Sequence, residues 1–249
     1  MKVSIITVCF NSEETIDKAI NSVLSQSHKD IEYIIIDGES KDKTIDLVRR
    51  YISKLSFFKT EPDEGIYDAF NKGIELATGD VICFLNSDDI YTSTHVISKI
   101  ASAFATTDVD IIYGDVIYHN KQNPSKVIRR YKSGNFSIKR LAWGWMPAHP
   151  SVFMRRGVYD TYGNFKKNYK IAGDYEFFCR IMKGGQLKSM YFPEAFVNMR
   201  AGGVSTSGFK NTYILNSEVV RACRENGINT SIFRILSKYP LKLLEIFSH

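Results

Sequence analysis

The strongest constraint on the fold is an alternation of short apolar runs with helical patterns in the first third of the chain. Four runs rich in β-branched or aromatic side chains predict strands: residues 3–10, 31–36, 57–60 and 81–85. Three segments between them have apolar positions at helical spacing: residues 16–24, 42–53 and 67–77. Asn11, with Glu14 three residues later, predicts the N-cap of the first helix. The series predicts a doubly wound α/β sheet with a ligand crevice at the carboxyl ends of its strands.

From about residue 110 the pattern becomes less regular. Further strands are predicted at three places, the first two as a hairpin around residues 120–124: residues 110–118, 126–131 and 151–154. Further helices are predicted at three places: residues 174–182, 211–225 and 232–247. We therefore expect one continuous α/β domain with an irregular second half and a helical tail.

Composition and charge narrow the class of protein. The 249 residues are 44% apolar and 24% charged, which excludes a disordered or collagen-like chain. A net charge of +6 suits an anionic partner such as a nucleotide, a phospholipid surface or nucleic acid. Basic residues do not form an aromatic-interleaved stripe, so we expect no nucleic acid partner. The four cysteines are far apart in the sequence and are predicted to be buried, reduced thiols.

The chain has neither a signal-peptide pattern nor an apolar run of 18 residues. We therefore expect a cytoplasmic protein or one that is peripheral on the cytoplasmic face of the inner membrane. The G-x-G-x-x-G and G-x-x-x-x-G-K-[ST] motifs are both absent, so the sequence excludes these two modes of nucleotide binding.

Acidic residues instead follow the predicted strands. Asp37 follows the second strand, Glu61, Asp63 and Glu64 follow the third, and residues 86–89 (NSDD) follow the fourth. Carboxylates crowded at the mouth of a parallel sheet repel one another unless a cation lies among them, and oxygen ligands suit Mg²⁺ or Mn²⁺ carrying a diphosphate. For each acid alone, a helix N-cap or a solvated loop position is the alternative interpretation.

Five segments, in this order, resemble the GT-A-fold family 2 glycosyltransferases. They are IITVCFN (5–11), IDGESKDKT (36–44), EGIYDAFNKG (64–73), GDVICFLNSDD (79–89) and AGDYEF (172–177). The resemblance covers about residues 1–205. It implies an α/β GT-A fold with a Rossmann-like doubly wound mixed sheet. It also implies a nucleotide-sugar-binding half at 1–110, an acceptor-binding and catalytic-base half at 111–205, and C-terminal helices at 206–249.

The resemblance assigns the nucleoside to Thr7, Phe10, Asn11, Asp37 and Ser40. Asp37 would accept a hydrogen bond from the uracil imide, which discriminates between bases because a buried unpaired partner is costly. A cap of the following helix is the alternative for this residue. Phe10 takes the place of a common Tyr and keeps its stacking face.

The donor sugar, the diphosphate and the metal are assigned to residues later in the chain. Asp68 and Asn71, one turn apart on a helix, would touch the sugar or ribose. Arg200, before the Gly-Gly segment at 202–203, would contact phosphate. Asn86 replaces the first acid of the family's D-x-D motif, so we expect Asp88 to be the main ligand of Mn²⁺ or Mg²⁺. Asp89 and Asn86 would support it.

Asp174 is the predicted catalytic base of a single inverting displacement. Its alternative role is the N-cap of the helix that follows. Gly173 stands where many relatives have Glu, so the resemblance implies that the neighbouring acid is either missing or moved to Glu176. His149 would face the acceptor and orient a hydroxyl or touch phosphate, with a purely local hydrogen bond as the alternative. Trp145 would stack on the acceptor sugar or, alternatively, pack in the core.

The resemblance implies an inverting, metal-dependent transfer of a hexose or N-acetylhexosamine from a UDP-sugar to a glycan. The acceptor would be linked to polyprenyl diphosphate in O-antigen or capsule synthesis. The basic, apolar tail, with Arg234, Lys238 and Lys242, would lie on an anionic membrane surface or pack against the domain or a second subunit in a homodimer. A sugar nucleotidyltransferase and a non-catalytic nucleotide-sugar-binding module are the rival functions.

Overall fold

In the computed structural model, residues 1–120, 126–202 and 208–239 are described, and nine strands form one mixed sheet. The first five strands are β1 (Val3–Cys9), β2 (Ile31–Asp37), β3 (Phe57–Thr60), β4 (Val81–Phe84) and β5 (Ile90–Tyr91). The last four are β6 (Ile111–His119), β7 (Val127–Tyr131), β8 (Val152–Arg155) and β9 (Ser189–Arg200). The strand order is β3-β2-β1-β4-β8-β6-β9-β5, and β7 pairs with β6.

Strand direction brings most carboxyl ends to one edge of the sheet. β1 is parallel to β2 and β4, and β2 is parallel to β3. β8 is antiparallel to both β4 and β6, so β6 runs in the same direction as β4, and β9 is parallel to β6. The carboxyl ends of β1, β2, β3, β4, β6 and β9 therefore share an edge, which we call the carboxyl edge. The opposite edge is the amino edge.

Helices cover both faces of the sheet. They are α1 (Ile16–Leu24), α2 (Thr44–Arg49), α3 (Ile66–Leu76), α4 (Val96–Thr106), α5 (Ile138–Leu141), α6 (Arg156–Tyr162), α7 (Gly173–Met182), α8 (Gly208–Glu225) and α9 (Ile232–Leu236). One apolar cluster joins the sheet to α3, α7 and α8, and a second joins it to α1 and α4. The candidate base on α7 therefore shares a face of the sheet with α3.

Close packing fixes α3 against the centre of the sheet. A Cβ atom at Gly73 would lie 2.4 Å from the Ile6 side chain of β1. Only glycine lets the helix approach the strand this closely without displacing Ile6. The side chains of α3 thus take a fixed height above the carboxyl edge.

The sequence predicts the first half well and the second half in part. The four parallel strands and the hairpin of β6 and β7 are confirmed, while residues 121–125 between them lie outside the described residues. The sequence pattern did not reveal α4, α6 or the 12-residue strand β9. The predicted helix at 232–247 begins at Ile232, and residues 240–249 lie outside the described residues.

The predicted N-cap at Asn11 is wrong. The helix begins at Ile16 with Thr15 as its N-cap. Asn11 adopts a positive φ of 47°, and its side-chain oxygen accepts the backbone N–H of Lys41 at 2.9 Å. Its carboxamide thus ties the loop after β1 to the loop after β2 at the carboxyl edge.

Among the described residues, the structure has no helix with both the length and the apolar character needed to cross a bilayer. Strands from residues 1–110 and 111–205 share the same sheet, since β8 links β4 to β6. The division of the chain into functional halves stays a prediction.

Candidate active site

The loops after β1, β2 and β3 form one side of the carboxyl edge around a buried carboxylate. Asp37 is fully buried and accepts hydrogen bonds from the Ser40 backbone N–H at 2.9 Å, the Ser40 hydroxyl at 2.5 Å and the Thr60 hydroxyl at 2.8 Å. The Cys9 thiol lies 3.6 Å from the same carboxylate. These donors occupy the acceptor capacity of Asp37. The predicted uracil contact would require one of them to be released, and Asp37 holds the loop in this structure.

Ser40 connects the Asp37 carboxylate to the loop after β1. Its hydroxyl oxygen accepts the Asn11 backbone N–H at 2.8 Å. Both predicted residues, Ser40 and Asn11, therefore organise the loop that carries Phe10. The Thr7 side chain is fully buried and its hydroxyl is hydrogen-bonded to Tyr33 at 3.2 Å, and its contact with the nucleoside stays a prediction.

Phe10 and Asp63 approach each other beside Gly38. The Phe10 ring is 61% exposed. A Cβ atom at Gly38 would lie 2.4 Å from Asp63 Oδ2 and 3.4 Å from the Phe10 ring, so the absence of a side chain at Gly38 leaves room for the Asp63 carboxylate. A flat base stacked on Phe10 would have an acceptor in Asp63. Sequence reasoning noted Asp63 only as one of the acids after β3, and its nearness to Phe10 emerges from the parallel pairing of the strands.

The loop after β4 carries two neighbouring carboxylates. Asp89 is buried and accepts a hydrogen bond from the Asn86 amide at 2.9 Å. Burial, and then the Asp88 carboxylate, raise the pKa of Asp89 well above its usual range, and Asn86 offsets this only in part. Burial also raises the pKa of Asp88, against the opposing effects of its own backbone N–H and of Arg200. A positive charge beside these two carboxylates would therefore favour their ionised forms.

This loop fits a divalent cation held mainly by the nucleotide. Among the residues that the structure describes, three His, Cys, Asp or Glu side chains nowhere gather as a ligand set. Mg²⁺ and similar ions are commonly held by one or two carboxylates together with substrate phosphates and water. Asp88 is only half-buried and suits that role. Asp89 is less suited to the ligand role predicted for it, since it is buried and bonded to Asn86.

Arg200 ends β9 near this acidic loop. Its guanidinium lies 3.0 Å from the Glu14 carboxylate and acts electrostatically on Asp88. The residue therefore lies where a diphosphate beside Asp88 would need a cation. The Gly-Gly segment continues into residues 203–207, which lie outside the described residues.

Asp174 lies in the first turn of α7 beside Tyr67 and His149. Its Oδ1 accepts the Tyr175 backbone N–H at 2.8 Å and lies 3.2 Å from the Tyr67 hydroxyl. His149 stacks on Phe84, the last residue of β4, with ring centroids 5.1 Å apart. Burial lowers the pKa of His149, opposed in part by the Asp174 carboxylate. The structure thus brings the predicted base and the predicted acceptor histidine together next to β4.

In this structure, the two α3 residues predicted to touch the donor are paired within the protein. The Asn71 carboxamide bonds both the backbone N–H and the carbonyl oxygen of Phe165, each at 2.9 Å. Asp68 lies 3.3 Å from Lys72 and 3.2 Å from Lys167. A donor contact would require either residue to exchange one of these partners, and the contact stays a prediction.

The two other residues predicted to meet the acceptor differ in exposure. Glu176 is fully buried, 2.9 Å from Lys166 and 3.1 Å from Arg180. The carboxylate has no exposed surface in this structure, and its contact with an acceptor stays a prediction. Trp145 is half-buried and stacks on Tyr131, with centroids 6.2 Å apart. It is therefore partly accessible, and its contact with a sugar stays a prediction.

Comparison with known proteins identifies the family. The sequence profile described as Glycosyl transferase family 2 matches residues 4–179. A relative named "PGL/p-HBAD biosynthesis glycosyltransferase" from Mycobacterium bovis is 27% identical over 215 residues, which cover 85% of this chain and 80% of the relative.

Two solved structures share the fold. Staphylococcus aureus TarS 1-349 in complex with UDP-GlcNAc has a TM-score of 0.71 at 19% identity, over 89% of this chain and 66% of that one. The Pyrobaculum calidifontis mannosyltransferase PcManGT, in complex with GDP-Man and Mn²⁺, has a TM-score of 0.64 at 16% identity, over 88% and 64%. The chain thus spans about two thirds of each solved chain, and the predicted GT-A fold is confirmed. The profile match covers well over half of the sequence, and the chain belongs to glycosyl transferase family 2.

Proposed function

We propose that the protein transfers a hexose or N-acetylhexosamine from a UDP-sugar to a glycan hydroxyl with inversion at the anomeric carbon. The observation that carries this proposal is the convergence of two groups at one edge of the sheet. The acidic loop of Asp88 follows β4, and His149, which stacks on the last residue of β4, lies within electrostatic reach of Asp174. A donor diphosphate and a deprotonated acceptor oxygen would thus meet beside the same strand.

The reaction needs one bond to form as another breaks. The acceptor oxygen attacks the anomeric carbon while the bond from that carbon to the diphosphate oxygen breaks, and UDP leaves with the electron pair. Asp174 takes the proton of the acceptor hydroxyl on the face opposite the leaving group. The buried, neutral form of His149 is suited to orient that hydroxyl by a hydrogen bond, since burial lowers its pKa.

The donor would lie along the loops of β1, β2 and β4. Uracil would stack on Phe10, with Asp63 as the acceptor beside Gly38 and with Asp37 and Ser40 fixing the loop beneath. Asp88 would hold Mn²⁺ or Mg²⁺, and that ion would neutralise charge on the departing diphosphate. Arg200 would contact the phosphates from the end of β9.

We propose a lipid-linked acceptor at an anionic membrane surface. Three aromatic side chains stand out from α8 and α9: Phe209 is 97%, Tyr213 76% and Phe233 82% exposed. Cationic Lys210 and Arg234 are exposed on the same two helices, and Arg234 lies over the Trp143 ring. Exposed aromatic and basic residues together favour an anionic interface. A polyprenyl-diphosphate acceptor in O-antigen or capsule synthesis fits that site, and a homodimer that covers the aromatics is the alternative.

Of the alternatives predicted for the tail, packing against the domain applies to part of it. Ile235 is fully buried and Lys238 is almost fully buried, so this part of the tail packs on the domain. Lys242 lies outside the described residues. Substitution of exposed residues therefore tests the membrane role better than truncation.

The transferase activity is tested by nucleotide release across a panel of UDP- and GDP-sugars. The assay contains Mn²⁺ and a synthetic lipid-diphosphate-linked GlcNAc acceptor, with Asp174→Asn as the isosteric control. We expect acceptor-dependent UDP release by the wild type and only a small residual rate in Asp174→Asn. Release of GDP but not UDP would overturn the uridine assignment, and a folded wild type that releases neither would overturn the proposed reaction.

The membrane role is tested by co-sedimentation with vesicles that contain anionic phospholipid. We expect the Phe209→Ser/Phe233→Ser variant to bind less than the wild type, and binding of the wild type to fall at high salt. Ile52→Ser, at an exposed apolar position far from α8 in sequence, is the control and should bind normally. Salt-independent binding that is equal in all three proteins would reject the membrane role, and a wild-type dimer disrupted by the double variant would favour the alternative.

A further inference from the structure

The segment before the candidate base, residues 165–172, is held by a carboxylate from outside the region that matches the family. Glu218 of α8 accepts three successive backbone N–H groups: Lys170 at 2.7 Å, Ile171 at 2.9 Å and Ala172 at 2.9 Å. Successive N–H groups that converge in this way form a concavity for an anion. Here the anion is an internal side chain, and Asp174 follows only two residues later.

The same segment is held from the opposite side by α3. The Tyr67 hydroxyl lies 2.6 Å from the Ile171 carbonyl oxygen and 3.2 Å from Asp174 Oδ1. Burial, and then the nearby Asp174 carboxylate, raise the pKa of Tyr67 well above its usual value, so the hydroxyl keeps its proton and donates. Asn71 bonds the start of the segment at Phe165.

Gly173 makes the approach of Tyr67 possible. A Cβ atom at position 173 would lie 2.7 Å from the Tyr67 ring. Any larger residue would push the ring, and with it the hydroxyl, away from Asp174. Gly173 is thus matched to a tyrosine more than a hundred residues earlier.

Two further residues of α8 contact the segment. Glu225 lies 2.9 Å from Lys166 and accepts the Tyr169 hydroxyl at 3.1 Å. The Arg221 guanidinium lies 3.8 Å from the centroid of the Tyr169 ring. The family match ends at residue 179, whereas α8 spans Gly208–Glu225, so this support comes from the part of the chain beyond the matched region.

We propose that Glu218 and Tyr67 are positioning residues for Asp174, clamping the backbone before α7 between α8 and α3. The inference rests on the proposed role of Asp174 as the base. A misplacement of about 1 Å at a reacting group costs on the order of 10²-fold in rate, so loss of either hydrogen-bonding group lowers turnover without touching substrate. Among the described residues, the side-chain hydrogen bonds of Glu218 and Tyr67 go to residues 170–174 and to none of the donor-binding loops after β1, β2, β3 and β4, so we expect donor affinity to be preserved.

The test compares Glu218→Gln and Tyr67→Phe with the wild type in steady-state assays that vary the UDP-sugar. We expect kcat to fall by about 10- to 100-fold in each variant, with the KM for the donor changed by less than about twofold. In the Asp174→Asn background, adding Glu218→Gln should lower the residual rate no further, because Glu218 acts through Asp174.

Two control variants separate positioning from general loss of stability. Glu32→Gln alters a buried carboxylate that accepts the Thr78 backbone N–H and two hydroxyls at the amino edge. Tyr51→Phe removes a tyrosine-to-aspartate hydrogen bond, 2.6 Å to Asp17, that joins the α1 and α2 region. Both should lower the melting temperature and leave kcat at the wild-type value.

The outcomes distinguish this inference from the function on which it rests. Wild-type turnover in Asp174→Asn would overturn the base assignment itself. An inactive Asp174→Asn together with wild-type kcat in Glu218→Gln and Tyr67→Phe would overturn the clamp alone. An equal further loss from Glu218→Gln in the Asp174→Asn background would also overturn it. If Glu218→Gln does not fold, the kcat of Tyr67→Phe decides.

Discussion

At the amino edge of the sheet, the buried Glu32 carboxylate is surrounded by donors, whereas at the carboxyl edge Asp88 and Asp89 crowd together. Burial alone would raise the pKa of Glu32, but hydrogen bonds from Lys2, Ser4 and Thr78 outweigh it and lower the pKa to about 2. Burial raises the pKa of both Asp88 and Asp89. A carboxylate that serves the fold is thus fully paired. A carboxylate left short of positive charge marks a place for a ligand that supplies it.

The largest effect that this contrast predicts is on turnover in Asp174→Asn. We expect kcat to fall by about 10²- to 10⁴-fold with UDP affinity nearly unchanged, because a positioned base contributes to the chemical step and does not hold the nucleotide. Single-turnover kinetics with saturating donor measures this. Loss of UDP binding in step with turnover would instead place Asp174 in the donor site.

The next effect concerns the acidic loop. Mn²⁺ with UDP should raise the melting temperature of the wild type, since a ligand at about 100 times its Kd stabilises the folded state by about 2.7 kcal/mol. Asp88→Asn should lose this rise, because the cation loses its main carboxylate. Asp108→Asn, at an exposed ion pair with Lys188, is the matched control and should keep the rise. An unchanged rise in Asp88→Asn would remove Asp88 from the metal site.

At the amino edge, the expected effect is on stability alone. Glu32→Gln should lower the free energy of unfolding by about 2–3 kcal/mol, because the amide places a donor against donors that the carboxylate accepted. Urea unfolding measures the loss, and kcat should remain that of the wild type. A marked fall in kcat would mean that the two edges of the sheet are coupled.

The smallest expected effect is the pH dependence of the difference in unfolding free energy between the wild type and Glu32→Gln. The folded-state pKa of Glu32 is lowered from 4.5 to about 2, so its contribution to stability is present above the unfolded pKa and is lost as pH falls through the folded one. The gap in unfolding free energy between the wild type and Glu32→Gln should therefore shrink between about pH 5 and about pH 2. A constant gap would show that packing, not charge, causes the loss.

The donor loops and the surroundings of the base differ in how far the sequence predicts them. The donor loops follow short apolar strands that alternate with helices, so local periodicity places Asp37 and Asp88 at one edge. Periodicity does not reveal that Asp37 is already saturated by Ser40 and Thr60, since that depends on loop geometry.

The surroundings of the base depend on contacts between distant residues. Tyr67 contacts Asp174, which lies 107 residues later in the chain, and Glu218 contacts Lys170, which lies 48 residues earlier. No local pattern encodes such pairings. Pro193 and Glu194 interrupt the apolar run of β9, so the sequence pattern does not reveal this strand. The position of Arg200 at the end of β9, within electrostatic reach of Asp88, is therefore not predictable from the pattern either.

The most direct test of the account is calorimetric titration of the wild type with UDP, with and without Mn²⁺. The crowding of Asp88 against Asp89 predicts that UDP binds much more tightly with the cation, and that Asp88→Asn removes the difference. Equal UDP affinity with and without Mn²⁺ in the wild type would contradict the proposal that the carboxyl edge holds a nucleotide diphosphate through a metal ion.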